Sequence, residues 1–173
     1  MITESNSKNI HASSKSSEWE TPQNLFDSLN KEFNFVLDAA ATEENAKCPK
    51  FFTKSSNALV VDWSQYKRVF CNPPYGREIG KFVKKAYEES LKGCIVALLI
   101  PSRTDTKWFS EYCSKGEIRF IKGRLKFINR TFPSYRTDGN FIISPAPFPS
   151  CIVIFGNGKT GVSWIKKLDQ KYD

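Results

Sequence analysis

The residues most able to do chemistry sit together at Asn72-Pro73-Pro74-Tyr75, directly after the apolar run Val69-Phe70-Cys71. The Asn72 side chain carries a carbonyl that accepts hydrogen bonds and an NH₂ that donates them. Pro73 and Pro74 have no backbone N–H, so they stiffen the turn and leave carbonyls as the main-chain polar groups. The Asn72 oxygen and the Pro73 carbonyl could therefore converge on one amino group. Tyr75 adds a ring able to stack on a flat partner, an interaction worth roughly 1–3 kcal/mol per base. The set suits an exocyclic amine on a planar heterocycle. Holding both amine protons would turn the nitrogen lone pair out of conjugation and towards an electrophile. The plain alternative is a turn, since Asn-Pro starts turns and Pro-Pro ends strands.

A loop of this kind needs a rigid strand behind it, and the flanking pattern supplies one. Apolar runs ending at Asp38, Asp62, Asn72 and Pro101 read as strands whose polar ends gather on one edge. EIRFI at 117–121 and CIVIFG at 151–156 read as further strands. Between them lie helical stripes. Thr21 is expected as an N-cap with Pro22 at the first helical position, followed by Leu25, Phe26, Leu29 and Phe33 at helical spacing. Ile79, Phe82, Val83, Ala86 and Tyr87 form a second stripe, closed by Gly93. A third helix is expected over 105–114, and the tail VSWIKKLDQKYD reads as a short helix. Residues 122–140 read as a basic, aromatic loop. Alternating strands and helices imply an α/β fold with a mostly parallel central sheet flanked by helices. Ligands of such sheets bind beyond the carboxyl ends of the strands.

Residues 1–17, rich in Ser, Asn and Lys, read as a flexible tail, and 18–173 as a single domain. The chain carries 26 Lys and Arg against 18 Asp and Glu, a net charge of +8 that favours polyanions. No apolar run reaches the roughly 18 residues of a membrane span, and no signal-peptide centre is visible, so a cytoplasmic location is expected. The five cysteines are scattered without a C-x-x-C pair, so neither a disulfide framework nor a metal site is expected. His11, the single histidine, lies in the polar tail, which argues against histidine-based catalysis.

The NPPY sequence after a buried strand resembles motif IV of the amino-group methyltransferases. The wider chain resembles the small phage-type DNA N6-adenine methyltransferases of the Dam class, which use S-adenosylmethionine and have a Rossmann-like methyltransferase fold. The similar stretches are WETPQNLFDSLNKEFNFVLDAAATEENAKC, VDWSQYKRVFCNPPYG, LLIPSRTDTKWF, IRFIKGRLKF and APFPSCIVIFG, running from Trp19 to Gly156. The resemblance implies that Asn72, Pro73, Pro74 and Tyr75 form the catalytic loop. It implies that Trp19, Thr21, Pro22, Asp38, Asp62 and Asn72 serve the cofactor. Read from the residues alone, Asp38 or Asp62 could equally cap a helix or turn, and Trp19 could belong to the core. Many relatives carry a glycine-rich turn after the first strand; here LDAAATEEN replaces it, with no glycine between Gln23 and Cys71.

The implied reaction is direct methyl transfer to the N6 amino group of adenine in double-stranded DNA, by a phage- or prophage-encoded enzyme. No metal and no strong general base are needed, because the proton can leave after the amine becomes cationic. A base within a duplex must be flipped out to be reached. Tyr75 is expected on one face of it and Phe127 on the other, unless Phe127 is core. Arg77, Arg103, Arg124, Lys126, Arg130 and Arg136 are candidates for DNA contact. An RNA or protein-glutamine methyltransferase, or an inactive nucleic-acid-binding module, are the alternatives.

Overall fold

The computed structural model describes residues 19–128 and 143–165. Its helices are α1 (Gln23–Phe33), α2 (Ile79–Leu91) and α3 (Lys107–Glu111). Its strands are β1 (Leu37–Asp38), β2 (Lys50–Phe51), β3 (Arg68–Cys71), β4 (Ile95–Pro101), β5 (Glu117–Ile121), β6 (Lys126–Ile128), β7 (Ile143–Pro145), β8 (Ser150–Phe155) and β9 (Gly161–Ile165). Seven strands form one sheet in the order β2-β1-β3-β4-β8-β5-β9, and β6 and β7 form a separate antiparallel pair. All neighbours in the large sheet are parallel except β8, which runs against both β4 and β5. This is a Rossmann-like, mostly parallel sheet with one reversed strand.

The amphipathic stripes decide how the layers close. α1 turns Leu25, Phe26, Leu29 and Phe33 onto one sheet face, against Phe70, Leu99 and Ile152. α2 sets Ile79, Phe82, Val83 and Ala86 on the other face, against Val96, Leu98 and Val153. β4 and β8 are covered on both faces, as their unbroken apolar runs require. The far end of α1 is tied to β5 by a forked pair in which Arg119 Nη1 and Nη2 donate to Glu32 at 2.6 and 2.7 Å. Gly93 follows α2 at φ +86°, as its place after the last turn suggested.

Four expectations about the elements change. Residues 58–62 are not a strand. Trp63, rather than the valines before it, is buried, and its indole N–H donates to the Ala58 carbonyl at 2.8 Å. That bond curls the segment into a turn and leaves Val60 75% exposed. The second strand of the parallel set is instead β2, in a stretch with no apolar period. The start of the tail is β9, an edge strand parallel to β5, rather than a helix; residues 166–173 lie outside the described ones. Thr21 makes no capping bond to α1, whose N-cap position is Pro22. The expected third helix is a single short piece, α3, followed by a tight turn at Cys113–Lys115.

α2 also hides a charge that its stripe did not announce. Glu89 is fully buried and accepts the Trp63 backbone N–H at 3.1 Å. Lys85 and Lys92 pair with it at 2.7 and 2.9 Å. Removing one partner of a buried pair typically costs 3–5 kcal/mol. Lys92 is half exposed and can turn to water, so Glu89→Ala should lower stability by about 3 kcal/mol, read from the urea unfolding midpoint.

Candidate active site

The chain runs from β1 outward to β2 and then returns to the opposite side of β1 as β3. The strand order therefore switches direction between β1 and β3, the place where open α/β sheets bind ligands. Asp38 ends β1, and Asn72 follows the last residue of β3. Asp38 sits opposite Phe70 in the register, so the two polar residues leave the sheet side by side. A cavity of about 750 Å³ opens there, within the size range of small-molecule sites. Trp19, Thr21, Asp38, Asn72, Pro74 and Tyr75 are on its walls, with Arg77 beside them.

The Asn72 amide is held in one orientation. Its Nδ2 donates to the Trp19 carbonyl and, at 3.1 Å, to Thr21 Oγ1. Its Oδ1 is buried and has no hydrogen-bond partner. A buried acceptor left unpaired costs roughly 1–3 kcal/mol, so its persistence points to a donor that arrives with a ligand. The hydroxyl of Thr21 is thus used to aim Asn72, which explains why it does not cap α1.

Asp38 is nearly fully buried, and burial pushes its carboxyl up to about 6, against the pull of its hydrogen bonds. Those bonds come from the backbone N–H groups of Ala40 at 3.3 Å and Lys47 at 3.0 Å. Ala39, Ala40 and Ala41 form the adjoining wall of the cavity. None of the three has positive φ, so this turn needs small side chains but not glycine. The absence of a glycine-rich turn from the sequence has this physical explanation.

Several expected site residues stand elsewhere. Asp62 is not on the cavity wall. It is exposed, its carboxylate accepts the Ser64 N–H at 3.0 Å, and that bond holds its carboxyl low. The missing strand at 58–62 is the reason. Pro22 is buried at the start of α1 and does not reach the cavity. Pro73 is buried behind the loop and does not line the cavity either. Phe127 is fully buried, and its ring stands 6.0 Å from Tyr75 at 83°. An edge-on pair at that distance has no room for a base, so Phe127 is a packing residue and not the second face of a sandwich.

Tyr75 is gripped on its buried side. Its hydroxyl donates to the Leu99 carbonyl at 3.2 Å, and burial pushes its phenol well up. Its ring meets Phe148 edge-on at 5.4 Å, and Phe148 meets Trp19 edge-on at 5.7 Å. Phe148, flanked by Pro147 and Pro149, was not marked by any periodicity in the sequence. Arg103 and Arg124 are exposed and follow β4 and β5, which share a direction, so both leave the sheet on the edge where Asn72 lies. Lys126 is in β6. Arg130 and Arg136 lie outside the described residues. Lys54 and Lys81, not foreseen for this role, join Arg77 at the cavity. Among the described residues no group of acids, cysteines and histidines could hold a metal, and no helix is long and apolar enough to cross a membrane.

A reversed-strand α/β sheet with an NPPY loop at its switch point defines a Rossmann-like methyltransferase. Residues 8–157 match the family model of the DNA N-6-adenine-methyltransferases (Dam), and the chain belongs to that family. It is 39% identical over 94 residues, 54% of its length, to the DNA N-6-adenine-methyltransferase of Escherichia phage T1. The match spans 39% of the phage T1 protein, under half of it. It is also 42% identical over 64 residues to YfdM of Escherichia coli strain K12, covering 34% of this chain and 70% of YfdM.

The hydroxyl of Tyr75 has a packing role that can be isolated. Tyr75→Phe should destabilise the chain by about 1 kcal/mol, the usual net value of one such bond, as measured by thermal or urea unfolding.

Proposed function

We propose that the protein transfers a methyl group from S-adenosylmethionine to the N6 amino group of an adenine flipped out of double-stranded DNA. One observation carries the reading: the buried, unpartnered Asn72 oxygen, aimed by its own donors, beside a nucleoside-sized cavity at the switch point. Family membership supports it. S-adenosylmethionine supplies an electrophilic methyl group on sulfur when bound. The residues present fit it: a buried acid at the end of β1, a wall of alanines, and space of the right order.

The chain's own part is positioning. Asn72 Oδ1 accepts an N6 hydrogen, whereas the Pro73 carbonyl expected to take the other belongs to a residue that does not line the cavity. The Asn72 acceptor draws electron density onto the nitrogen and orients it, so the amine attacks without prior deprotonation. The remaining face of Tyr75 stacks on the base, held in place by Leu99 and Phe148 from behind. Arg77, Lys54 and Lys81 meet phosphates at the mouth, with Arg103 and Arg124 further along the same edge. Residues 18–173 act as one catalytic domain.

Asn72→Ala should lower methylation by about 10²- to 10³-fold, as loss of a single aimed polar group at a reacting centre does. The measurement is nucleoside mass spectrometry for N6-methyladenine after incubation with duplex DNA, with RNA and protein substrates alongside. Wild-type turnover in that variant, or methyl transfer confined to RNA or protein, would refute the proposal.

Asp38 adds a pH signature. With its carboxyl raised to about 6, the ionised form is complete only above that pH. Cys48 and Cys71 beside it are held as neutral thiols by burial and do not titrate in this range. If the ionised carboxylate receives the cofactor's cationic end, affinity is full above pH 7. It then falls roughly tenfold per unit as pH drops below about 6. Calorimetric titration with S-adenosylhomocysteine between pH 5 and 8 checks this, and a flat profile would contradict it.

A further inference from the structure

The cavity wall contains an ion pair that the NPPY loop does not explain. Lys47 Nζ lies 3.3 Å from Glu20 Oε1, and each side chain is only 8% exposed. The same ammonium donates to Gln23 Oε1 at 3.1 Å. Lys47 and Glu20 both line the cavity, as does Asp38, whose Oδ2 accepts the Lys47 backbone N–H at 3.0 Å. A buried ion pair is weak as a purely stabilising device, because desolvation offsets most of its attraction. Beside a cavity it has a second use. A positive and a negative group, desolvated and fixed in one frame, match a ligand that carries both charges close together, as a free α-amino acid end does.

We propose that Lys47 takes the α-carboxylate of the methyl donor and so completes a clamp with Asp38, already assigned above to the donor's cationic end. Glu20 and Gln23 are positioning residues that hold the Lys47 side chain over the cavity. The valences allow it. An ammonium has a further N–H to give after Glu20 and Gln23, and each Asp38 oxygen keeps a lone pair after accepting its backbone N–H. The shared segment enforces the spacing, since the loop that carries Lys47 is pinned to Asp38 through its own backbone. The inference rests on the methyl-donor reading and extends it to the end of the ligand opposite the adenine ring.

The test deletes charge from each side of the contact in turn. Binding of S-adenosylhomocysteine, of 5′-methylthioadenosine, which lacks the amino-acid end, and of decarboxylated S-adenosylmethionine, which lacks only the carboxylate, is measured by calorimetry on the full chain. Lys47→Met should weaken S-adenosylhomocysteine by about tenfold or more, the scale of one charge-assisted contact, and leave 5′-methylthioadenosine within about twofold. Wild-type protein should bind decarboxylated S-adenosylmethionine about tenfold more weakly than S-adenosylmethionine, and Lys47→Met should abolish that difference. The wild-type comparison needs no variant, so it stands even if Lys47→Met misfolds. Equal loss on all ligands in a folded variant, or a wild type indifferent to the carboxylate, overturns the clamp and leaves the methyl-donor reading standing. A wild type that binds none of the three overturns the methyl-donor reading and the clamp with it.

Discussion

The Asn72 amide is the constraint on which the site depends. A free asparagine can present either its oxygen or its nitrogen to a ligand, and the two ends ask for opposite chemistry. Here the nitrogen end is committed to the Trp19 carbonyl and the Thr21 hydroxyl, so the oxygen is the end left without a partner, in a residue that lines the cavity. The cost of that unpaired oxygen is fixed in the folded state and is recovered only when a donor arrives. An amine that needs both of its protons gripped is a donor of the required kind. On the proposed reading the acceptor is set before any substrate binds, and so it adds no reorganisation at the moment of reaction.

That arrangement reaches back through the whole fold. Trp19 and Thr21 precede α1, so their position is set by how α1 lies on the sheet. α1 in turn is held by its four buried apolar residues and, at its far end, by the fork between Glu32 and Arg119 of β5. β3 carries Asn72 and is locked between β1 and β4 in a parallel register. The reversed β8 fills the sheet between β4 and β5 and brings Phe148, just before it, against Tyr75. The NPPY loop is therefore stiffened from two sides by elements distant in sequence.

Buried charge follows a pattern in this protein. Glu89 is enclosed where it ties α2 to the turn at Trp63, and its partners satisfy it fully enough to serve as structure. Asp38, Glu20 and Lys47 are enclosed at a cavity wall, where Lys47 pairs with Glu20 and its backbone N–H donates to Asp38. The first group fastens two elements together, whereas the second adjoins open volume, which is the difference the proposed clamp rests on.

Much of this was legible in the residues. The NPPY loop, the acid ending β1, the stripes of α1 and α2 and the double-sided runs of β4 and β8 all follow from local chemistry and period, because each signal is contained within one element. Asp62 and Phe127 were misplaced for a shared reason: their roles depended on neighbours far along the chain. Trp63 claimed the interior and curled the Asp62 segment away from the sheet edge, while Phe127 was drawn under Tyr75 by the packing of the β6–β7 pair. Lys47 and Glu20, far apart in sequence, carry no local sign of their pairing. The amino-acid sequence by itself determined which chemistry was available and which strand would present it. Only the tertiary structure decided which way the Asn72 amide faces, which acid enters the cavity and which charges share it, because those are set by desolvation and contacts between segments that no local pattern records.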